Sequence, residues 1–336
     1  MPMKINKILF MTLLFISTLI CISSNSWLGV WIGLEMNLLF FCPLMNNNNN
    51  SLSNEATLKY FLIQALASIL LLFFICLNFI QLNFFSIMFF SPIYIIMINT
   101  SLLLKIGAAP LHFWFPSIME NMNWMNNLLL MTWQKINPFI CISYCINNNF
   151  ILMISLLSII VGSLGGFNST SLRKIIAFSS ISHIGWLLTS LMISEGNYWF
   201  YFLFYSIMSI SLIFSFNFMK LFYMNQILSN SLTTVNKALI FITLLSMGGL
   251  PPFLGFIPKW MVIERLIIMK MMMLIFIIVM MTLVTLYFYL RLSFSSLILN
   301  NIQMQWKSNM NMSNKIYIFN YFSILFFPMI FFLFMT

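Results

Sequence analysis

Lys105, Lys135, Lys259 and Glu35 stand inside stretches that are otherwise apolar, in a chain where only 6% of residues are charged. An ionisable side chain at the centre of a bilayer costs about 2.5–3.5 kcal/mol on insertion scales, so four of them mark a polar path buried within protein. The chemistry open to such groups is proton transfer. Burial favours the neutral form of either side chain, and an approaching opposite charge restores the ionised form. A glutamate and a lysine that approach and separate can therefore bind and release a proton in turn. A static buried ion pair that holds helices together accounts for the same residue types. Three lysines against one glutamate leave amines in excess, however, and this favours titration over permanent pairing.

Two histidines join the candidates. His183 lies mid-span in Ser179-Ser-Ile-Ser-His183-Ile-Gly-Trp186, among hydroxyls able to order water. An imidazole exchanges protons near neutral pH, and a hydrogen-bonded packing role explains a membrane histidine equally well. His112 follows a Gly/Pro-rich interruption of the kind that lines cavities, which gives it the better claim to proton exchange.

The elements that must hold these residues are set by composition. The 336 residues are 62% hydrophobic with a mean hydropathy of +1.00, as expected for many membrane-spanning helices and no soluble domain. The net charge of +10 comes mostly from short loops beside apolar spans, where it reports topology rather than nucleic-acid binding. The sequence contains no Gly-x-Gly-x-x-Gly fingerprint, no phosphate-binding Gly-x-x-x-x-Gly-Lys-Ser/Thr loop and no cysteine cluster, so nucleotide, metal and redox centres are not expected in this chain. The five cysteines, Cys21, Cys42, Cys76, Cys141 and Cys145, are expected to be small buried apolar residues rather than disulfides or ligands. Lys4 and Lys7 precede an apolar run without a small-residue cleavage site after it, which predicts a retained first helix.

Unbroken apolar runs exclude a β-barrel and predict an all-α polytopic membrane protein with about eleven transmembrane helices. They fall near Ile8–Ser23, Trp27–Met45, Ala56–Leu77, Phe84–Pro116, Trp124–Ile146, Phe150–Gly166, Leu172–Ile193, Tyr198–Phe222, Ala238–Glu264, Met271–Leu292 and Ile316–Met335. Threading these spans places ten basic residues on the N-terminal side and only Arg265 and Lys270 opposite. By the positive-inside rule the N-terminus then lies on the cytoplasm-like or matrix-like face.

The fourth and ninth spans share an anomaly. The fourth is too long for the hydrocarbon core, and both carry a break: Lys105-Ile-Gly-Ala-Ala-Pro110-Leu-His112-Phe-Trp-Phe-Pro116 and Gly248-Gly-Leu-Pro251-Pro252-Phe-Leu-Gly-Phe-Ile-Pro258-Lys259. Proline frees a backbone carbonyl that lipid cannot satisfy, and a lysine beside each break is a sensible partner for it. Spans one to five (1–146) and six to ten (147–297) then form two five-helix units, each with a broken fourth helix. Because five is odd, the second unit is inverted, an arrangement typical of secondary transporters. A loop and C-terminal helix occupy 298–336. The glycine pairs Gly29/Gly33 and Gly162/Gly166 are explained by close helix packing.

These motifs, with Ser24-Asn-Ser-Trp-Leu-Gly-Val-Trp-Ile-Gly-Leu-Glu35-Met-Asn, Trp133-Gln-Lys135-Ile-Asn-Pro138 and Ser171-Leu-Arg-Lys-Ile-Ile-Ala-Phe-Ser-Ser-Ile-Ser-His183, resemble the antiporter-like subunits of mitochondrial NADH:ubiquinone oxidoreductase, respiratory complex I. Among them the likeness is to the arthropod form of subunit 2, in order along almost the whole chain. The resemblance implies a proton channel in the membrane arm of the mitochondrial inner membrane, with the N-terminus in the matrix and the C-terminus in the intermembrane space. Glu35 and Lys105 would be the acid and lysine pair of the first half-channel, Lys135 the central lysine and Lys259 the terminal one. His183 and His112 would help carry protons. NADH, FMN, iron–sulfur clusters and ubiquinone would be bound by partner subunits, with core and accessory subunits and lipids around this chain. Eleven helices rather than about fourteen suggest loss of three at the N-terminus, as in animal subunit 2. A stand-alone cation/proton antiporter and a non-pumping membrane scaffold are the rival readings.

Overall fold

The computed structural model describes residues 5–46, 50–84, 92–229 and 234–298. Every regular element among them is a helix. A single bridge between Ser171 and Tyr223 ties the loop before one helix to the loop after another. The chain forms two compact units, Met1–Ile154 and Ser155–Thr336. The expected C-terminal helix, Ile316–Met335, lies outside the described residues.

The first unit holds α1 (Ile5–Ser23), α2 (Trp27–Met45), α3 (Ser51–Phe84), α4 (Pro92–Ile106), α5 (Trp114–Asn121), α6 (Trp124–Met131) and α7 (Trp133–Ser143), and α8 (Asn148–Phe167) begins in it. The second holds α9 (Leu172–Ile193), α10 (Glu195–Met219), α11 (Met224–Ser229), α12 (Thr234–Gly248), α13 (Phe256–Ile268) and α14 (Met272–Ile298). Among the described residues, α2, α3, α8, α9, α10 and α14 are long and apolar enough to cross a membrane.

Helix ends follow local chemistry. Ser26 caps α2 by accepting a hydrogen bond from the Gly29 amide, which satisfies one of the donors a helix start leaves free. Ser194 caps α10 in the same way through the Asn197 amide. Helices α2 and α9 run end for end with two of the expected spans. One span does not hold together: Trp124–Ile146, expected as a single helix, is parted into α6 and α7 at Thr132. The Thr132 hydroxyl and amide both donate to the Leu128 carbonyl, at 2.8 and 3.0 Å. The Lys135 amide then turns to the Thr132 carbonyl at 3.3 Å, the tighter i→i+3 spacing found where an α-helix is interrupted.

Small residues bring helices close, as the sequence leads one to expect. A Cβ on Gly33 would lie 2.7 Å from the Cys21 Cβ, so α2 meets α1 there with nothing between them. In the second unit a Cβ on Gly162 would lie 2.4 Å from the Ser182 amide nitrogen, and one on Gly185 2.5 Å from the Ser158 hydroxyl. Helix α9 is the centre of that unit: from Ser179 to Leu191 every residue is buried. Such a helix, polar in places yet enclosed, must find all its partners inside the protein.

Candidate functional site

Each of the three intramembrane lysines stands beside a helix interruption. Lys105 is in the last turn of α4, Lys135 in the first turn of α7 and Lys259 in the first turn of α13. All three are buried, with exposures of 7%, 1% and 7%.

The two Gly/Pro breaks are built alike. Gly107 and Gly249 both take left-handed backbone, with φ of +80° and +83°. Only glycine adopts this conformation without a steric penalty, and each glycine is followed three residues later by a proline and nine later by another. What satisfies the freed carbonyls differs between the two. At the second break Lys259 donates from Nζ to the Gly248 carbonyl at 2.7 Å and to the Met247 carbonyl at 3.3 Å. An ammonium there also meets the negative end of the α12 dipole. At the first break the Leu104 carbonyl accepts from the Trp114 indole at 3.2 Å, and the Lys105 carbonyl from the Gln64 amide at 3.1 Å. The expectation that a lysine serves the carbonyls at both breaks therefore holds for Lys259 and fails for Lys105. Gln64 and Trp114 do that work in the first unit, and the Lys105 amine is left for other partners.

The nearest acid is Glu35 on α2. It acts on Lys105 electrostatically without forming a salt bridge to it, unlike Glu55, which pairs with Lys59 one turn along α3. The Glu35 Oε2 atom is buried without a hydrogen-bond partner. Two residues along, Asn37 exchanges amide hydrogen bonds with Gln134 on α7, at 2.8 and 3.3 Å, which fixes the helix bearing Glu35 against the helix bearing Lys135. The Lys135 Nζ lies 5.5 Å from the centre of the Phe115 ring, within cation–π range. His112, buried in the turn between α4 and α5, has Nδ1 3.2 Å from the Pro110 carbonyl.

In the second unit the Lys259 ammonium also sits 5.9 Å from the Trp186 ring centre. Trp186 stacks on Tyr201, and the Tyr201 hydroxyl is 2.9 Å from His183 Nδ1. Lys259, Trp186, Tyr201 and His183 thus form one contiguous buried cluster. Ser179, Ser180 and Ser182 each donate to a backbone carbonyl one turn earlier. The hydroxyls around His183 are engaged by protein.

Residues 24–286 match the family described as NADH:quinone oxidoreductase/Mrp antiporter, transmembrane. The chain is 50% identical over 327 residues to NADH-ubiquinone oxidoreductase chain 2 of Anopheles gambiae, covering 96% of each chain. With the same chain of Aedes aegypti it shares 52% over 314 residues, covering 93% of this chain and 92% of that one. The chain belongs to the NADH-ubiquinone oxidoreductase chain 2 family.

The fold of this chain 2 family member is shared with a solved structure, respiratory complex I from Thermus thermophilus with bound aureothin. The likeness has a TM-score of 0.82 at 18% identity and covers 96% of this chain and 77% of that one.

Sequence reasoning missed several polar members of the site: Asn37, Gln64, Trp114, Gln134, Tyr201 and Tyr205. Their signal was present, since amides inside apolar spans are as costly as hydroxyls and need partners. Tyr201 and Tyr205 stand four residues apart and so share one face of α10, the face that meets His183 of α9. Of the cysteines, Cys21, Cys141 and Cys145 are buried as expected, whereas Cys42 is half-buried and Cys76 exposed; all five are free thiols.

Proposed function

We propose that this chain is the proton-conducting, antiporter-like membrane-arm subunit 2 of NADH:ubiquinone oxidoreductase in the mitochondrial inner membrane. Electron transfer from NADH to ubiquinone takes place in partner subunits, which hold the FMN and iron–sulfur clusters, and its energy drives protons through this one. The chain is in this sense part of a translocase and carries no redox centre. The observation that carries the proposal is three lysines, buried in apolar helices, each beside a helix interruption, in a chain of this family.

In this reading eleven spans form two inverted five-helix units and a C-terminal helix, with the N-terminus in the matrix and the C-terminus in the intermembrane space. Glu35, Lys105 and Lys135 exchange protons in the first unit, with His112 at its helix break. Lys259 and His183 do so in the second. A switchable Glu35–Lys105 pair is supported by two observations: Glu35 acts on Lys105 electrostatically, and its buried Oε2 atom has no hydrogen-bond partner. The Lys259 amine, when charged, grips the end of α12; when neutral it grips less strongly, so proton release and helix geometry are coupled there. Core and accessory subunits and lipids surround the chain.

The test is Lys135→Met in native membranes. Methionine matches the lysine in length and removes the titratable amine. The expected result is an assembled complex that still oxidises NADH but moves fewer protons per electron. An unchanged proton-to-electron ratio would leave the chain a scaffold, and migration of the native chain as a small species without dehydrogenase activity would favour a separate cation/proton antiporter.

A further inference from the structure

Cys21 on α1 and Cys141 on α7, 120 residues apart in sequence, place their sulfurs 3.8 Å from each other in the interior of the first unit. We propose that this pair is an oxidisable dithiol that reacts with a hydroperoxide to form a disulfide joining α1 to α7.

Neither sulfur is placed by chance of exposure. Cys21 is held from one side by Gly33, whose missing side chain lets α2 approach the Cys21 backbone to within 2.8 Å of where a Cβ would stand. Cys141 lies on the α7 face that also carries Trp133, two turns earlier, and Trp133 packs edge-on against Phe15 of α1 at 4.4 Å between ring centres. The two helices are therefore also in contact about two turns before the thiols. The cation within electrostatic reach of both sulfurs is Lys105, and the attacking form of a cysteine is its thiolate.

Neither sulfur is open to solvent, so an oxidant would enter from the turn between α1 and α2 and cross about one helical turn to reach them. A cavity of about 360 Å³ at the turn between α1 and α2 is lined by Ile22, Ser24, Asn25, Ser26 and Tyr144 among others. Cys21 is one turn below Ser24, whose hydroxyl donates to the Cys21 carbonyl at 2.9 Å, and Cys141 is one turn below Tyr144. The cavity is polar-rimmed and suits a small hydroperoxide. One thiolate attacks the outer peroxide oxygen, breaking the O–O bond to give a sulfenic acid and, after protonation, an alcohol or water. The second thiolate attacks that sulfur, the S–S bond forms and the hydroxyl leaves as water. Both cysteines are oxidised, the peroxide is reduced and the two thiol protons end in the products. The staple ties α1 to the helix that bears Lys135, beside Lys105. Its effect on pumping rests on the function proposed above, whereas the disulfide itself does not.

The experiment uses membranes holding the assembled complex, treated with tert-butyl hydroperoxide, denatured with N-ethylmaleimide to block remaining thiols, and mapped by mass spectrometry. The expected product is a peptide pair joined through Cys21 and Cys141 that dithiothreitol separates. Exposed Cys76 serves as the internal control for oxidant delivery. Recovery of Cys21 and Cys141 as maleimide adducts when Cys76 is oxidised, or as separate sulfinic acids, overturns the proposal. NADH-driven pumping is expected to fall in step with the linked fraction, to recover on reduction, and to be insensitive to the oxidant in Cys141→Ser. Full pumping with the pair linked would overturn the effect of the staple while leaving Lys135→Met to judge the channel.

Discussion

The Lys259 ammonium lies 2.7 Å from the carbonyl of Gly248, eleven residues earlier and on the other side of a helix break. One side chain thus serves both as a candidate proton carrier and as the cap that satisfies the end of α12. Lys105, at the other break, has no such structural duty, because Gln64 and Trp114 bond the carbonyls there. The two lysines should therefore respond differently to the same substitution. Lys259→Met strands two carbonyls in an apolar interior at a cost of about 1–3 kcal/mol each, and should lower both pumping and the temperature at which the solubilised complex comes apart. Lys105→Met should lower pumping with that temperature unchanged or raised. Thermal melts of the two variants side by side distinguish these outcomes.

Gly249→Ala tests the cap with the lysine still present. The added Cβ would stand 2.9 Å from Lys259 Cδ and 3.0 Å from its Nζ, at a φ of +83°. Left-handed backbone costs a non-glycine residue roughly 1–2 kcal/mol, and the lysine must also move. Pumping and complex stability should both fall, as in Lys259→Met. A variant indistinguishable from wild type in both assays would mean that the Gly248 contact is dispensable.

Trp114→Phe keeps an aromatic ring beside Tyr60 and removes the indole donor to the Leu104 carbonyl. The predicted loss is about 1 kcal/mol of stability, with assembly retained and the turn that carries His112 loosened. Hydrogen exchange at the amides of Gly107 and Ala108, both bonded to the Leu103 carbonyl, should accelerate severalfold.

Tyr201→Phe separates the two roles open to His183. The ring that stacks on Trp186 stays and the hydroxyl 2.9 Å from His183 Nδ1 goes. If His183 exchanges protons through this contact, the proton-to-electron ratio drops while assembly holds. A packing histidine would leave the ratio unchanged and show itself only as a modest loss of stability.

The Thr132 interruption should be visible without mutagenesis. Amides near the start of α7 should exchange faster than those of α9, whose residues from Ser179 to Leu191 are enclosed, because a helix interruption exposes backbone groups to local opening. Equal protection would argue for a continuous helix through Trp124–Ile146.

The sequence by itself determined that the chain is helical and membrane-embedded, where α2 and α9 begin and end, and that Lys105, Lys135, Lys259 and Glu35 are the groups to watch. These follow from local quantities: run length against bilayer thickness, and the cost of a charge in an apolar stretch. The Gly/Pro breaks were legible for the same reason, since glycine and proline act on their own backbone. Only the tertiary structure decided who bonds to whom. Nothing local in Gln64 or Trp114 says that they, and not Lys105, satisfy the carbonyls at the first break, and the partner of Lys259 depends on how α13 folds back on α12. The pairing of Asn37 with Gln134, of His183 with Tyr201 and of Cys21 with Cys141 likewise joins residues far apart in the chain. A buried polar group must find a partner wherever packing puts one, so its need is written in the sequence and its answer only in the fold.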